Sequence, residues 1–234
     1  MESTPPAAVP PSVASPRPAP SDRLYEPEDL GATLDAASLF GLTREEADAA
    51  PLEVEIGCGN GRYLRRGAAD RPGHLFVGLE RAVGFARKAR DRMVKYGVGN
   101  VRVVRADATQ LFATHFAPES ISALHVYFTD PWPKKRHGKR RLFQPPFLET
   151  LARLLRPGAP VFVKVDLFWY FEEILGRFEQ LPHFAVTACG AESDRDRDLF
   201  EMTGFEQKAL RKKGQIFYLI ARRGVVVAQT SVRA

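Results

Sequence analysis

The chain has 234 residues, of which 44% are hydrophobic and 26% are charged, so it is long and apolar enough to bury a sizeable core. Its two cysteines argue against a disulfide framework, and its five histidines lack the spacing of metal ligands, so no metal is expected. No apolar run approaches the roughly 18 residues of a membrane span, and the composition favours a reduced, cytoplasmic protein.

The 34 basic residues exceed the 28 acidic ones by six, and we expect this positive charge at one place. Six Lys or Arg residues lie between Lys134 and Arg141, a segment that we call the basic loop. The loop closely follows Asp130, a carboxylate that stands where a buried strand is predicted to end. A cationic segment beside a candidate reaction centre indicates an enzyme that acts on a polyanion.

The N-terminal region differs in composition from the rest of the chain. Residues 1–22 hold seven of the 18 prolines among Ala and Ser, which predicts a disordered tail. Residues 23–51 are expected to form an N-terminal extension, in which Thr43-Arg-Glu-Glu46 fits the capping box of a short helix. The main domain is predicted over residues 52–224, and residues 225–234 form a C-terminal tail.

Apolar runs predict five strands in the main domain, with helices between them. The strands are expected at Leu52–Ile56, His74–Glu80, Asn100–Asp107, 123–130 and Ala159–Asp166. The helices are expected from the glycine-rich loop to about Asp70, over 82–96, at Phe143–Leu155 and at Tyr170–Leu181. Two further strands, Phe184–Ala188 and Gln215–Arg222, are expected to be antiparallel.

Strands that alternate with helices predict an α/β fold with a mostly parallel sheet and helices on both faces. Ligands of such sheets bind outside the carboxyl ends of the strands. Four of the five predicted strand ends carry a carboxylate: Glu80, Asp107, Asp130 and Asp166. Glu55 lies one residue before the end of the first strand. Because a structural sheet has no need of these acids, we interpret them as a site.

The loop Gly57-Cys-Gly-Asn-Gly61 joins the first strand to a helix, and its glycines allow a ligand to approach the backbone. Glu80 suits a ribose diol, and Asp107 could lie beside an adenine. This pattern permits S-adenosylmethionine, and Cys58 is interpreted as a packed thiol. A nicotinamide oxidoreductase stays possible from the loop alone, although its usual G-x-G-x-x-G spacing is one residue longer.

Several motifs together resemble the bacterial tRNA (guanine-N7)-methyltransferase family. They are Glu55-Ile-Gly-Cys-Gly-Asn-Gly61, Gly78-Leu-Glu80, Asp107, Thr129-Asp-Pro-Trp-Pro-Lys-Lys-Arg-His-Gly-Lys-Arg-Arg141, Asp166 and Thr203-Gly-Phe-Glu206. The similarity runs from about Leu52 to Arg222. It implies a Rossmann-like class I methyltransferase fold with a seven-stranded sheet, S-adenosylmethionine as donor, and a guanine in the tRNA variable loop as acceptor.

The resemblance also implies roles for individual residues. The cofactor side would comprise Glu55, Gly57, Gly59, Gly61, Glu80, Asp107 and Asp130. The substrate side would comprise Lys134, Asp166, Thr203, Gly204, Phe205 and Glu206. The family usually has Lys or Arg where this chain has Gly204, so one cationic contact with the substrate is missing at that position.

Chemistry at guanine N7 assigns a role to Asp130. N7 carries a lone pair and no proton, so the site must align the reacting atoms rather than supply a base. Asp130 is predicted to accept hydrogen bonds from the guanine and to offer negative charge. Trp132 is expected either to stack on the extruded base or to pack under the basic loop.

The basic loop is predicted to bind RNA phosphates. The residues expected to do so are Arg136, His137, Lys139, Arg140 and Arg141. The alternative function is a non-catalytic RNA-binding protein on a methyltransferase scaffold. Such a protein would have no reason to keep Glu80 and Asp107 at strand ends.

Overall fold

The computed structural model describes residues 18–192 and 215–224. The predicted substrate-side residues Thr203, Gly204, Phe205 and Glu206 lie outside the described residues. So do the C-terminal tail and residues 1–17 of the predicted N-terminal tail.

Seven strands form one sheet. They are β1 (Leu52–Ile56), β2 (Leu75–Leu79), β3 (Val101–Val104), β4 (Ala123–Tyr127), β5 (Pro160–Val165), β6 (Phe184–Glu192) and β7 (Ile216–Arg223). Their order across the sheet is β3-β2-β1-β4-β5-β7-β6. Strands β1 to β5 are parallel, and β7 pairs antiparallel with both β5 and β6. The predicted mostly parallel sheet and its antiparallel late strands are confirmed.

Helices connect the parallel strands. The α-helices are α1 (Ala36–Phe40), α2 (Arg44–Ala49), α3 (Arg62–Asp70), α4 (Val83–Lys95), α5 (Ala108–Thr114), α6 (Pro145–Leu154) and α7 (Phe168–Glu179). Short 3-10 helices cover Pro27–Leu30 and Lys135–Arg140. In the part of the chain that the structure describes, no helix combines the length and apolar character needed to span a membrane.

The core divides into two apolar clusters because side chains of a strand alternate between the faces of the sheet. On one face, Phe76 packs with Leu64 of α3 and Met93 of α4. On the other face, Val77 belongs to the larger cluster, to which α5, α6 and α7 contribute. The sheet is therefore covered on both faces, as the sequence pattern predicted, and its ligand-binding edge is left open at the strand ends.

Two predicted strand ends are wrong, and both concern candidate site residues. Strand β3 ends at Val104 rather than Asp107, which is instead the N-cap of α5. Strand β4 ends at Tyr127 rather than Asp130, because Phe128 takes a left-handed backbone conformation with φ of +57° and turns the chain away from the sheet. Both carboxylates therefore stand three residues beyond their strands, in loops that follow the carboxyl edge.

The N-terminal extension packs against the outer edge of the sheet. Tyr25 forms a parallel bridge with Val104, and the predicted capping box is confirmed, since Thr43 and Glu46 bond each other's backbone N–H at the start of α2. The buried Arg102 guanidinium donates to the carbonyl oxygens of Leu39 and Gly99 at 2.9 and 2.7 Å. The bond to Leu39 fastens the extension to β3.

Candidate active site

One large cavity lies outside the carboxyl ends of β1 and β4. These two strands are neighbours although the chain passes through β2 and β3 between them, so the strand order reverses here. Such a reversal splays the loops after the two strands and opens a crevice between them. The cavity has a volume of about 1060 Å³.

The predicted site residues that line this cavity are Gly57, Gly59, Glu80, Asp107, Asp130, Lys139, Arg140 and Arg141. The glycine-rich loop, the strand-edge acids and the basic loop therefore meet in one volume. The other predicted residues that the structure describes do not line it: Glu55, Gly61, Lys134, Arg136, His137 and Asp166.

The glycine-rich loop exposes its backbone to the cavity. Gly59 has φ of +54°, a conformation that other residues rarely adopt, and an added Cβ there would meet nothing closer than 4.0 Å. Gly61 serves packing instead. Gly61 directly precedes α3, and a Cβ at this position would lie 3.1 Å from the Ala89 side chain of α4. The absence of a side chain therefore lets α3 and α4 approach each other.

Glu80 follows β2 directly and is tied to the glycine-rich loop. One carboxylate oxygen accepts a hydrogen bond from the Gly59 N–H at 3.0 Å, and the other accepts from the Ala82 N–H at 2.8 Å. These two bonds fix the carboxylate between the loop and α4. Because Glu80 also lines the cavity, its position suits an acceptor for the hydroxyl groups of a ribose.

Asp107 is the N-cap of α5. It lies at one end of the cavity, and Asp130 lies at the other end. The Oδ1 of Asp107 accepts a hydrogen bond from the Thr109 N–H at 3.0 Å. Its Oδ2 lies 4.0 Å from the Arg81 guanidinium. Both neighbours also line the cavity, so this end offers a carboxylate, a hydroxyl and a cation to a ligand.

Glu55 is buried beneath the glycine-rich loop rather than exposed to the cavity. Its side chain is 3% exposed, and its Oε2 has no hydrogen-bond partner among the described residues. Burial, and then the nearby charge of Glu80, raise the pKa of Glu55 to about 8. Glu55 is therefore protonated in the folded protein at pH 7.

We expect Glu55→Gln to stabilise the fold at alkaline pH. Between pH 4.5 and 8 the unfolded state ionises Glu55 whereas the folded state keeps it protonated, so stability falls as pH rises. Gln has the same shape and no charge. Its advantage over Glu55 should be near zero at pH 4.5 and grow by up to about 1.4 kcal/mol per pH unit towards pH 8. Urea unfolding of both proteins at four pH values measures this; a constant difference would contradict it.

Asp130 lies between two strained backbone positions. Phe128 and Trp132 have φ of +57° and +44°, conformations that are uncommon for aromatic residues. The Phe128 N–H donates to the Lys164 carbonyl of β5 at 2.8 Å, which holds the turn against the sheet. Asp130 itself is exposed and accepts no hydrogen bond from the described residues. The strain is consistent with a backbone shaped for function, and it directs the Asp130 carboxylate towards the cavity.

Arg141 anchors the basic loop to the rest of the protein. Its Nε and Nη2 donate to the carbonyl oxygens of Pro131 and Trp132 at 2.9 and 3.1 Å, and its Nη1 pairs with Glu173 of α7. The guanidinium also lies over the Trp169 ring, 4.9 Å from its centroid. Arg141 was predicted to bind RNA, but these contacts point to a positioning role.

Arg140 and His137 surround Trp132. The Arg140 guanidinium lies 5.0 Å from the centroid of the Trp132 ring, and the His137 ring meets it edge-on at 5.7 Å. Trp132 thus packs under the basic loop, which is one of the two alternatives left open by the sequence, and it also lines the cavity. Stacking of Trp132 on the extruded base stays a prediction. Lys134 and Arg136 are exposed on the outer side of the loop, and Asp166 is exposed between β5 and α7.

Sequence reasoning missed several residues that line the cavity, of which Tyr127 is the most informative. The Tyr127 hydroxyl lies 2.9 Å from Nδ1 of His125, and Nε2 of His125 lies 2.7 Å from the buried Glu53 carboxylate. Arg71 donates to both oxygens of Glu53 at 2.8 and 3.1 Å. A buried polar network therefore runs from the cavity wall through the sheet. Its only sequence signal was a set of polar residues inside apolar strands.

The comparisons with known proteins agree with this site. A family model described as "Putative methyltransferase" matches residues 49–219. The chain is 36% identical to the tRNA (guanine-N(7)-)-methyltransferase of Alkalilimnicola ehrlichii over 193 residues, which cover 82% of this chain and 78% of the relative. It is 34% identical to the enzyme of the same name from Rhodopirellula baltica, with 86% and 73% covered. The chain belongs to the tRNA (guanine-N(7)-)-methyltransferase family.

Solved structures show the same fold as this member of the tRNA (guanine-N(7)-)-methyltransferase family. The 16S rRNA (adenine(1408)-N(1))-methyltransferase of Catenulisporales acidiphilia superimposes with a TM-score of 0.55 at 19% identity, covering 83% of this chain and 93% of that one. The predicted Rossmann-like methyltransferase fold is therefore confirmed. Its sheet order places the glycine-rich loop and Asp130 on neighbouring strands, as the site requires.

The residues of the cavity fit S-adenosylmethionine, the cofactor of this family. An open glycine backbone at Gly59, a fixed carboxylate at Glu80 and a capping carboxylate at Asp107 follow one another along the strand ends β1, β2 and β3. The volume exceeds what one drug-sized ligand needs, which leaves room for an acceptor base. Among the residues that the structure describes, no group of His, Cys, Asp and Glu is arranged to hold a metal ion.

Proposed function

We propose that this chain transfers the methyl group of S-adenosylmethionine to N7 of a guanine in tRNA. The observation that carries this function is the meeting of the strand-edge acids and the basic loop in one cavity. The acids suit a nucleoside cofactor, and the basic loop suits the phosphates of RNA. The relatives in the family are named for this reaction. The acceptor we propose is the guanosine of the variable loop.

For this reaction the protein must align the reacting atoms and stabilise the developing charge, but it does not need to supply a general base. When bound, the cofactor supplies an electrophilic methyl group on a positively charged sulfur. Guanine N7 has a lone pair and no proton, so no proton has to leave that atom. The cavity walls must exclude water and hold the base with N7 directed at the methyl group.

Asp130 is the residue that we propose for orienting the guanine. Its exposed carboxylate can accept hydrogen bonds from the N–H groups of the guanine edge, and its charge opposes the positive charge that develops on the purine. Trp132 and Arg140, stacked beside it, offer a flat surface for the extruded base. Lys134, Asp166 and the segment from Thr203 to Glu206 are proposed as further substrate contacts on the strength of the family motif.

A direct assay tests the function. Labelled S-adenosylmethionine and unmodified tRNA should give label in the tRNA, and digestion to nucleosides should place it in 7-methylguanosine. A transcript with adenosine in place of the variable-loop guanosine is the matched control and should take up no label. The alternative, a non-catalytic RNA-binding protein, predicts tRNA binding without cofactor binding, so calorimetry with S-adenosylmethionine separates the two.

We expect different outcomes from neutralising the two neighbouring arginines of the basic loop. Arg140→Gln should weaken tRNA binding about tenfold and lower the slope of log affinity against log salt by about one, because Arg140 is an exposed cation of the loop that we propose to bind phosphates. Arg141→Gln should instead lower the melting temperature, because it breaks three bonds within the protein. Filter binding at several salt concentrations and thermal unfolding measure the two effects.

The control for both variants is Arg153→Gln, an exposed arginine near the end of α6. It should leave tRNA affinity, the salt slope and the melting temperature close to their wild-type values. Loss of cofactor affinity in Arg140→Gln would count against the division of the cavity into a cofactor side and an RNA side.

The domain organisation and location of the protein are part of the proposal. Residues 52–224 would form the methyltransferase domain, residues 23–51 an extension that braces its edge, and residues 1–22 and 225–234 two tails. Because the substrate is tRNA, we propose that the protein works in the cytoplasm.

A further inference from the structure

A second basic surface lies on the exposed side of helices α3 and α4. These helices carry eight Lys or Arg residues against two Asp, an excess of six that equals the excess in the basic loop. The expectation that positive charge is concentrated at one place is therefore wrong. Outside the basic loop the numbers of acidic and basic residues are equal, but the acidic and basic residues lie in different parts of the molecule.

Exposed aromatic rings accompany these cations. The Arg65 guanidinium and the Lys95 ammonium lie 5.1 and 5.7 Å from the centroid of the Tyr96 ring, and the Lys88 ammonium lies 5.6 Å from that of Phe85. Tyr96 is 53% exposed and Phe85 is 47% exposed. We call these five residues the α3–α4 face.

Carboxylates do not neutralise the α3–α4 face. Among the described residues, none lies within ion-pair distance of Arg65, Lys88 or Lys95. Instead, cations lie near one another. Burial lowers the pKa of Arg92, and the positive charges of Arg62 and Arg65 lower it further. A cluster of like charges costs free energy, and an anionic partner would offset that cost.

The α3–α4 face is continuous with the cavity. Phe85 lines the cavity together with Arg81, whereas Lys139 and Arg140 of the basic loop line it on the other side of β1. The Nε of Arg92 also donates to the carbonyl oxygen of Asn60 in the glycine-rich loop at 2.8 Å. An extended polyanion that reaches Asp130 can therefore contact both basic surfaces.

We infer that the α3–α4 face is a second tRNA-binding surface, so that the RNA spans the mouth of the cavity from the basic loop to α4. This inference rests on the proposed function and adds a docking surface to it. Cations give phosphate contacts, and exposed aromatic rings stack on unpaired bases, which is the pattern of proteins that bind single-stranded nucleic acid. A basic helix with exposed apolar residues also suits an anionic membrane surface. Continuity with the cavity favours RNA.

The test is the triple variant Arg65→Gln, Lys88→Gln and Lys95→Gln. Its tRNA affinity should fall at least about tenfold, and the slope of log affinity against log salt should fall by about two. Its affinity for S-adenosylmethionine should stay within about twofold of wild type, because none of the three side chains lines the cavity. Filter binding over a salt series and calorimetry provide these values.

The matched control is the triple variant Arg153→Gln, Arg156→Gln and Arg222→Gln, which removes the same charge in the half of the molecule that contains α6, β5 and β7. There Arg156 donates to the carbonyl oxygen of Glu119, and Arg222 donates to that of Gly158. Its tRNA affinity should change by less than about twofold.

Four outcomes would overturn the inference. If the two triple variants bind tRNA equally and wild type methylates tRNA, the second surface is wrong and the proposed function stands. If wild type binds no tRNA, both are wrong. If the first variant loses binding to vesicles with anionic lipid but keeps its tRNA affinity, the α3–α4 face binds membranes.

Should that variant fail to fold, hydrogen exchange of the wild-type chain tests the inference instead. Binding of tRNA should slow amide exchange over 83–96, and no slowing would overturn the inference.

Discussion

We expect Asp130→Asn to lower kcat for tRNA methylation by about 100- to 1,000-fold. The substitution keeps the shape of the side chain but removes its charge and puts an N–H₂ donor where an acceptor is needed. Loss of one such preorganised interaction with the reacting group has an effect of this size. Because Asp130 is exposed, the free energy of unfolding should change by less than about 0.5 kcal/mol.

Single-turnover methylation at saturating tRNA and cofactor is the appropriate measurement, because it separates lost chemistry from weakened binding. Asp48→Asn is the matched control, since Asp48 is also exposed but lies in α2, outside the cavity lining. A folded Asp130→Asn variant with wild-type turnover would show that Asp130 does not orient the guanine. The proposed role would then have to pass to another residue of the cavity wall.

The second large effect is expected for the buried carboxylate of Glu53. Glu53→Ala should lower the free energy of unfolding at pH 7 by about 3 kcal/mol, because the buried His125 and the partly exposed Arg71 lose the acceptor that they share. Glu53→Gln keeps the volume and one acceptor oxygen, so its loss should be smaller. Urea unfolding at pH 7 measures both values.

The pH dependence of this effect follows from the pKa of Glu53. Burial alone would raise that pKa, but hydrogen bonds from His125 and Arg71, together with the positive charge of Arg71, lower it from 4.5 to about 2. A carboxyl with a lowered pKa stabilises the fold above pH 4.5, and this contribution of about 3 kcal/mol is lost as the pH falls towards 2. The difference between wild type and Glu53→Ala should therefore shrink over that range. An unchanged difference at pH 2.5 would contradict the assignment.

Sequence reasoning found the strands of the sheet but missed the network around Glu53. Strands β1 to β5 were predictable because each is a short apolar run, and helices could be placed between them. Glu53 and His125 are 72 residues apart in the chain, and they meet only because β1 and β4 are neighbours. No local sequence pattern shows that β1 and β4 are neighbours, so the network could not be predicted.

The sequence predicted at which edge of the sheet Asp107 and Asp130 lie, but it did not predict their positions relative to the strand ends. Asp107 and Asp130 are near the carboxyl ends of their strands, as predicted, but each follows a loop. The turn at Phe128 depends on a left-handed conformation that nothing in an aromatic side chain favours. It is held by a hydrogen bond to Lys164 of the neighbouring strand, which is a tertiary contact.

The role of Arg141 shows a similar limit. Within the sequence it is one of six cations in the basic loop, with nothing to distinguish it from Arg140. In the fold it faces Glu173 of α7, which pairs with its guanidinium and also with that of Arg177. Arg141 thus holds the loop through contacts within the protein, and only the packing against α7 distinguishes it from Arg140.

The most direct test of the central claim is methyl transfer to a tRNA that carries 7-deazaguanosine at the variable-loop position. This base keeps every hydrogen-bonding group of the guanine edge that Asp130 would accept from, but it has a C–H group in place of the N7 lone pair. We predict that the modified tRNA binds as tightly as normal tRNA and receives no methyl group. Methyl transfer to it at the rate of normal tRNA would contradict the account.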